Sequence, residues 1–372
     1  MLNNLGLKKI SLLLTGTALA CFGLAAMLFF NIDLKGFKDN KYLYNINEEK
    51  SFAVETIKNI NINTFSSDIN IIDTDDSKVK VHIYGKLYSK NRQEVNNPVI
   101  ELNNEKLDIK QSKKEDVHIG INFNIGNLFN ANETKIDLFI PKSYRENIKI
   151  DSFSGDIVAD PLNIKELNVN TFSAEIVLNE VTADTVSLET SSGDIKAKYI
   201  KANNNIKINS FSGNNNFGGL KTLDFNIENS SGEMSLGVVE TEKTTISTFS
   251  GDIGAKEIEA VDADISTSAG NIRVNDVSAK KILCKTFDGD ITFNKAKLKD
   301  SDIETSSGNV AIRLNENSEF DLDAGSSSGD VSCEFPITSI EKQGEHEIKG
   351  IVGKADGQIK IETFSGDISI SK

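Results

Sequence analysis

The residues best placed to do chemistry are a set of carboxylates and amides, each one place after a glycine or its substitute. They are Asp156, Glu175, Asp194, Asn214, Glu233, Asp252, Asn271, Asp290, Asn309 and Asp330. Stacked in register about 5 Å apart, one strand spacing, such carboxylates repel, and a hard cation such as Ca²⁺ would relieve the repulsion. Asp156, Asp194, Asp252, Asp290 and Asp330 are therefore the candidate cation column. The competing reading is turn chemistry plus solubility, because Asp and Asn beside glycine bond nearby backbone amides. The interspersed Asn residues already dilute the charge, and the spacing is not that of the nonapeptide Gly-Gly-x-Gly-x-Asp calcium repeat. Apart from this column no metal or cofactor is expected.

Other chemistry is sparse. His82, His118 and His346 are isolated, with no Cys or carboxylate at ligand spacing, and read as surface or structural histidines. No phosphate loop or His-Glu-x-x-His run is present. Cys284 and Cys333 fall on inward columns about two strand spacings apart, too far for a disulfide, and read as small core residues. A β-helix enzyme acting on polysaccharide would cluster Asp, Lys and Arg on one face. Here the arginines are only Arg92, Arg145, Arg273 and Arg313, and the carboxylates follow the repeat. Catalytic sites tend to break local regularity, and no such break is legible within the array, so the chain is read as a non-enzyme.

What must position the acidic column is a repeat. Ser152-Phe153-Ser154-Gly155-Asp156-Ile157 returns in related form at Thr171, Thr190, Ser210, Asn229, Thr248, Thr267, Thr286, Thr305 and Ser326. The steps are 19, 19, 20, 19, 19, 19, 19, 19 and 21 residues, with outlying copies at Thr64 and Thr363. A fixed period of this length means stacked units that bury a core only together. Counting from the first Thr or Ser as zero, apolar pairs fall at positions 5 and 7, 10 and 12, and 15 and 17. One coil shows all three: Ile253/Ala255, Ile258/Ala260 and Ala263/Ile265. Each pair has the spacing of one strand face. The pattern predicts an all-β, three-sided parallel β-solenoid with three short strands per coil. Two corners are tight and Thr-Phe-Ser-Gly-Asp makes the wide one. The glycine at position three is expected to supply a left-handed turn conformation. Position one alternates, Phe172, Ser191, Phe211, Ser230, Phe249, Ser268, Phe287, Ser306, which leaves open whether the rings point inward or outward.

The ends differ from the array. Ile10 to Phe30 carry no charge and are long enough to span a bilayer as a helix. Lys8 and Lys9 precede them, so residues 1–9 are expected in the cytoplasm and everything after the helix outside. A cleaved signal peptide at Ala18-Leu19-Ala20 would leave an apolar mature terminus, and a lipoprotein reading through Cys21 lacks the expected leucine. The expected organisation is a tail at 1–9, an anchor at 10–32 and a linker at 33–50. A β region with the first coil and an insertion follows at 51–147, then the regular solenoid at 148–333. Residues 334–372 form a cap and one last coil. Within the insertion, strands are expected at Val99–Leu102, Leu107–Ile109 and Ile119–Ile125. The formal net charge of −14 excludes a nucleic-acid partner.

The lead-in Ile136-Asp137-Leu138-Phe139-Ile140-Pro141-Lys142, then Ile148 to Ile157, and the closing Thr363-Phe364-Ser365-Gly366-Asp367-Ile368 carry a resemblance. Over about residues 52–372 the chain resembles the bacterial adhesin-named family, domain of unknown function 4097, including its LiaG-like group. The resemblance implies a right-handed β-solenoid of about 19-residue coils, often behind one membrane anchor. It supplies no active-site residues. The expected function is a membrane-anchored, extracytoplasmic binding, adhesion or envelope-sensing module. Its expected partners are the membrane itself and a cell-wall polymer, another envelope protein or a host surface. The alternative is a carbohydrate-active lyase or hydrolase.

Overall fold

The computed structural model describes residues 42–89, 98–110 and 133–372. The expected anchor at 10–32, His118 and the strand expected at Ile119–Ile125 lie outside those residues. No helix among the described residues is long and apolar enough to cross a membrane. The chain forms two compact units, one running to Asn179 with Leu188–Gly193, the other comprising Glu180–Ser187 and Asp194–Lys372.

In the first unit the strands are β1 (Tyr42–Ala53), β2 (Asn59–Thr64), β3 (Asp68–Thr74), β4 (Lys78–Ser89), β5 (Val99–Asn103) and β6 (Lys106–Lys110). They continue with β7 (Glu133–Pro141), β8 (Asn147–Ser152), β9 (Ile157–Ala159), β10 (Leu162–Asn163), β11 (Glu166–Thr171) and the start of β12 (Ile176–Ser192). The outlying copy at Thr64 joins β2 to β3. It stacks directly on the coil of β8 and β9, with Thr64 opposite Ser152 and Ile69 opposite Ile157. Its other side meets β6 and β7, with Ile60 opposite Leu107 and Ile69 opposite Ile136. The first coil of the chain is thus second in the stack. Antiparallel strands close this end: β5 turns onto β6, β4 runs against β7, and β1 against β4. Such a cover ends a parallel ladder without leaving a long bare edge.

The linker expected at 33–50 is strand from Tyr42 onward. Among the described side chains of β1 only Ile46 is buried, so the alternation that announces a strand is missing. The strand exists because it pairs with β4 along its whole length.

The second unit continues with β13 (Ile195–Ser212), β14 (Asn215–Ser231), β15 (Met234–Ser250), β16 (Ile253–Ala269), β17 (Ile272–Lys285) and β18 (Ile291–Ser307). It ends with β19 (Val310–Leu314), β20 (Phe320–Ser326), β21 (Val331–Cys333), β22 (Ile337–Gln343), β23 (Glu347–Val352), β24 (Gln358–Ser365) and β25 (Ile368–Ser371). Met234 pairs with Ile253, Ile253 with Ile272 and Ile272 with Ile291, so each coil advances 19 residues. The expected short strands are fused into runs such as the 17 residues of β16. Tight corners of neighbouring coils superpose, so the ladder continues around them. In β16 the buried residues are Ile253, Ala255, Ile258, Ala260, Ala263 and Ile265, as the periodicity predicts, together with Thr267 at position zero.

The far end departs from the expected order. β24 lies between β18 and β20, with Thr363 opposite both Thr305 and Ser326. β25 likewise lies between β19 and β21, with Ile368 opposite Val310 and Val331. The coil expected to come last is therefore internal, and the coils beginning at Thr305 and Ser326 are not neighbours. The cap expected from residue 334 onward is a hairpin of β22 and β23, with β23 running antiparallel to β20.

Candidate functional site

The wide corner is where the repeat concentrates polar and aromatic side chains, and its acidic column has a definite task. Its Asp and Asn side chains, from Asp156 to Asp367, accept the backbone N–H of the same position in the next coil. Within the first unit the Glu175 N–H donates to Asp156 Oδ1 at 3.0 Å. In the second unit the Asn214 N–H donates to Asp194 at 2.9 Å, and the Glu233 N–H to Asn214 at 2.9 Å. The Asn271 N–H donates to Asp252 at 2.7 Å, the Asp290 N–H to Asn271 at 3.0 Å, and the Asn309 N–H to Asp290 at 2.8 Å. The internal coil extends the series: Asp367 donates to Asn309 at 2.8 Å, and Asp330 to Asp367 at 2.9 Å. Asp330 is thus separated from Asn309 by a residue distant in sequence. One oxygen of each of Asp156, Asp194, Asp252, Asp290 and Asp367 is committed to this ladder. Among the described residues no group of three or more His, Cys, Asp or Glu is arranged to hold a metal ion.

Two further corner residues show why the hexapeptide recurs. Gly232 has the expected positive φ, +126°, and a Cβ there would lie 2.3 Å from the Gly213 carbonyl oxygen. Gly193 lacks a positive φ, yet a Cβ would meet the Ala174 oxygen at 2.0 Å. Close stacking of corners, common to both, is what excludes a side chain. The buried hydroxyl at position zero supports the same stack. Thr286 and Thr305 Oγ1 donate to the Gly270 and Gly289 oxygens, at 3.1 and 3.0 Å. Sequence reading assigned this residue to the corner and missed that it faces inward.

The rings at position one differ in exposure: Phe153 is buried, Phe65 and Phe211 are half-buried, and Phe172, Phe249, Phe287 and Phe364 are exposed. In the first unit Phe65, Phe153 and Phe172 form a continuous stack, with centroids 4.8 Å apart at both steps and planes within 5° of parallel. In the second unit they stand apart, with Phe249 45%, Phe287 64% and Phe364 70% exposed.

The remaining candidates are structural. His82 Nε2 is 2.7 Å from Asn47 Oδ1 and stacks on Tyr84, while His346 Nδ1 lies 2.8 Å from the Gly329 oxygen. Cys284 is buried and Cys333 half-buried, both as free thiols. Burial pushes the Cys284 thiol far above its ordinary range, the charge of Asp264 adding to the effect. A shallow groove of about 380 Å³ lies in the second unit at a tight corner, between Lys201 and Lys221 on one side and Glu240, Glu242 and Glu259 on the other. Its Lys221 is paired with Glu240, which holds the ammonium above its usual range. The groove begins where the ladder slips between Lys201 and Asn205. The 20-residue step from Thr190 to Ser210 was the sequence sign of that slip.

Comparison with known proteins gives one family and several distant structures. The family described as Toastrack DUF4097 matches residues 57–235 and again 201–371. No curated protein matches the chain. Among solved structures, a "putative cell adhesion protein" from Clostridium sporogenes is 15% identical, covering 88% of this chain and 99% of its own, with a TM-score of 0.24. A "putative adhesin" from Bacteroides fragilis is 16% identical, covering 74% and 99%, at 0.30. A "putative lipid binding protein" from Parabacteroides distasonis is 16% identical, covering 73% and 97%, at 0.33.

Proposed function

We propose, taking as premise that this chain belongs to the Toastrack DUF4097 family, that it is a non-enzymatic binding module held at the outer face of a cell membrane. The observation that carries the reading is the fate of the repeat's polar groups. The column's Asp156, Asp194, Asp252, Asp290 and Asp367 accept backbone N–H groups from coil to coil. What the repeat leaves outward in the second unit is a row of exposed rings, Phe249, Phe287 and Phe364, and bare rings set in a polar rim mark contact surfaces.

The address rests on the uncharged run Ile10 to Phe30 behind Lys8 and Lys9. That run anchors the chain once, with the solenoid outside. Cell-wall polymer, another envelope protein or a host surface is the partner. Two experiments test the whole reading. Protease added to intact cells should digest the solenoid, and deleting residues 10–30 should release the protein from membranes. Immobilised full chain should bind isolated envelopes saturably without releasing reducing ends from a glycan panel. Turnover abolished by mutating one carboxylate cluster would overturn the assignment.

A further inference from the structure

We propose that the outward column Phe211, Phe249, Phe287 and Phe364 is a docking ridge for a basic, proline-rich polypeptide in polyproline II form. The inference rests on the binding reading above and names its ligand.

The first observation is the order of residues in space. Along the stack, position one reads Phe211, Ser230, Phe249, Ser268, Phe287, Ser306, Phe364, Ser327. The flanking pairs fix this order: Thr305 and Ser307 stand opposite Thr363 and Ser365, and Thr363 opposite Ser326. Along the chain the alternation fails, because Ser327 follows Ser306. Only the internal coil, arriving from the C-terminus with Phe364, restores it.

The second observation is that packing does not require the alternation. Phe65, Phe153 and Phe172 occupy the same position in successive coils of the first unit and stack face to face at 4.8 Å. Neighbouring rings are therefore allowed. In the second unit rings are instead held two levels apart, with Phe211 half-buried and Phe249, Phe287 and Phe364 left 45 to 70% exposed.

The spacing selects the partner. Two strand spacings put the rings about 9.6 Å apart. A polyproline II helix has three residues per turn at 3.1 Å each, a period of about 9.3 Å. Across three intervals the mismatch totals about 1 Å, less than a ring's width. An extended strand repeats at about 6.8 Å and an α-helix at 5.4 Å, so neither presents one group to each ring. Prolyl rings stacking on aromatic side chains is an established way to read this conformation. Charge sets the rest of the ligand. Three residues after position one the column holds Glu233, Asp252, Asp290 and Asp367 among Asn214, Asn271 and Asn309, with Asp252 paired to Arg273, and the chain carries a net charge of −14. A basic peptide is attracted, while a second copy of this chain would bring acidic columns together.

The probe is a fluorescent synthetic peptide with prolines at every third position and arginines between, titrated into the full chain and read by anisotropy. Saturable binding is expected, weakened at least tenfold by Phe287→Ser and unchanged by Phe65→Ala. The decisive variant is the register swap Phe287→Ser with Ser306→Phe, which keeps composition but breaks the period. It should weaken binding as much as Phe287→Ser, at an unchanged melting temperature. A swap that binds like the parent, or a parent that ignores the peptide, overturns the proposal. If the ridge instead binds a neutral oligosaccharide and loses it on Phe287→Ser, the peptide assignment fails while the binding reading survives. If envelopes also fail to bind the parent, both readings fall.

Discussion

Two buried side chains carry polar groups whose energetics can be measured. Asn215 occupies the position held by Ile195 before it and Met234 after it. It is buried, its Nδ2 reaches only the Gly213 oxygen at 3.5 Å, and its Oδ1 has no partner. An unsatisfied buried acceptor costs about 1–3 kcal/mol, so Asn215→Ile should stabilise the second unit by about that amount in denaturant melts. Tyr144 is the opposite case. It is buried and its Oη donates to the Asn147 oxygen at 2.8 Å. Burial, reinforced by the charge of Glu146, raises the phenol well above its ordinary value of 10.0. The neutral phenol is then the folded form. Its stabilisation is full below pH 10 and is lost as pH climbs beyond, at about 1.4 kcal/mol per unit. Tyr144→Phe should lose about 1 kcal/mol at neutral pH with the hydrogen bond. Its stability should then decline less steeply than the parent's above pH 10, in parallel urea titrations.

Individual coils were legible because each is local in sequence: a period of 19 and three apolar pairs suffice to place nearly every inward residue. Which coil stacks on which was not legible from that pattern, because every corner carries the same hexapeptide and any coil offers any other the same ladder. The preference is written in the outward residues. Stacking in chain order would set Asp302 on Asp323. The observed order puts Lys360 opposite both, with its Nζ 3.8 Å from Asp302 and 3.1 Å from Glu362. Similarly, Gln358 separates Asp300 from Asp321. These contacts are individually small at a partly exposed site, yet they distinguish otherwise equivalent orders. Cross-strand charge pairs contribute roughly 0.2–1 kcal/mol and like charges reverse the sign. Lys360→Glu should therefore cost about 1–2 kcal/mol over its two neighbours. Asp302→Asn, which removes the like charge facing the new glutamate, should restore part of the loss, read as protease resistance of β24.

At the scale of the whole chain, both units place a terminal coil inside the stack. β2 and β3, early in the chain, sit beneath later strands, and β24 and β25, its last strands, sit between earlier ones. A linear solenoid frays from its ends, each coil leaning only on its neighbours. Here the outermost parallel coil of the second unit, β20 and β21, rests on β24 and β25, so it cannot be ordered before the C-terminus has been inserted. That adds long-range contacts, which slow folding, and it links the cap to the last residues. The consequence can be tested by removing residues 356–372. If the final coil were a terminal repeat, its deletion would expose one edge and leave every other coil as before. With the coil internal, deletion strands β20 to β23 beyond a gap. Hydrogen exchange should then show protection collapsing across 320–352 while β14 to β17 keep theirs. Amides of β24 in the intact chain should exchange as slowly as those of β17, despite lying within fifteen residues of the terminus. Unchanged protection at 320–352 after the deletion would refute the internal placement.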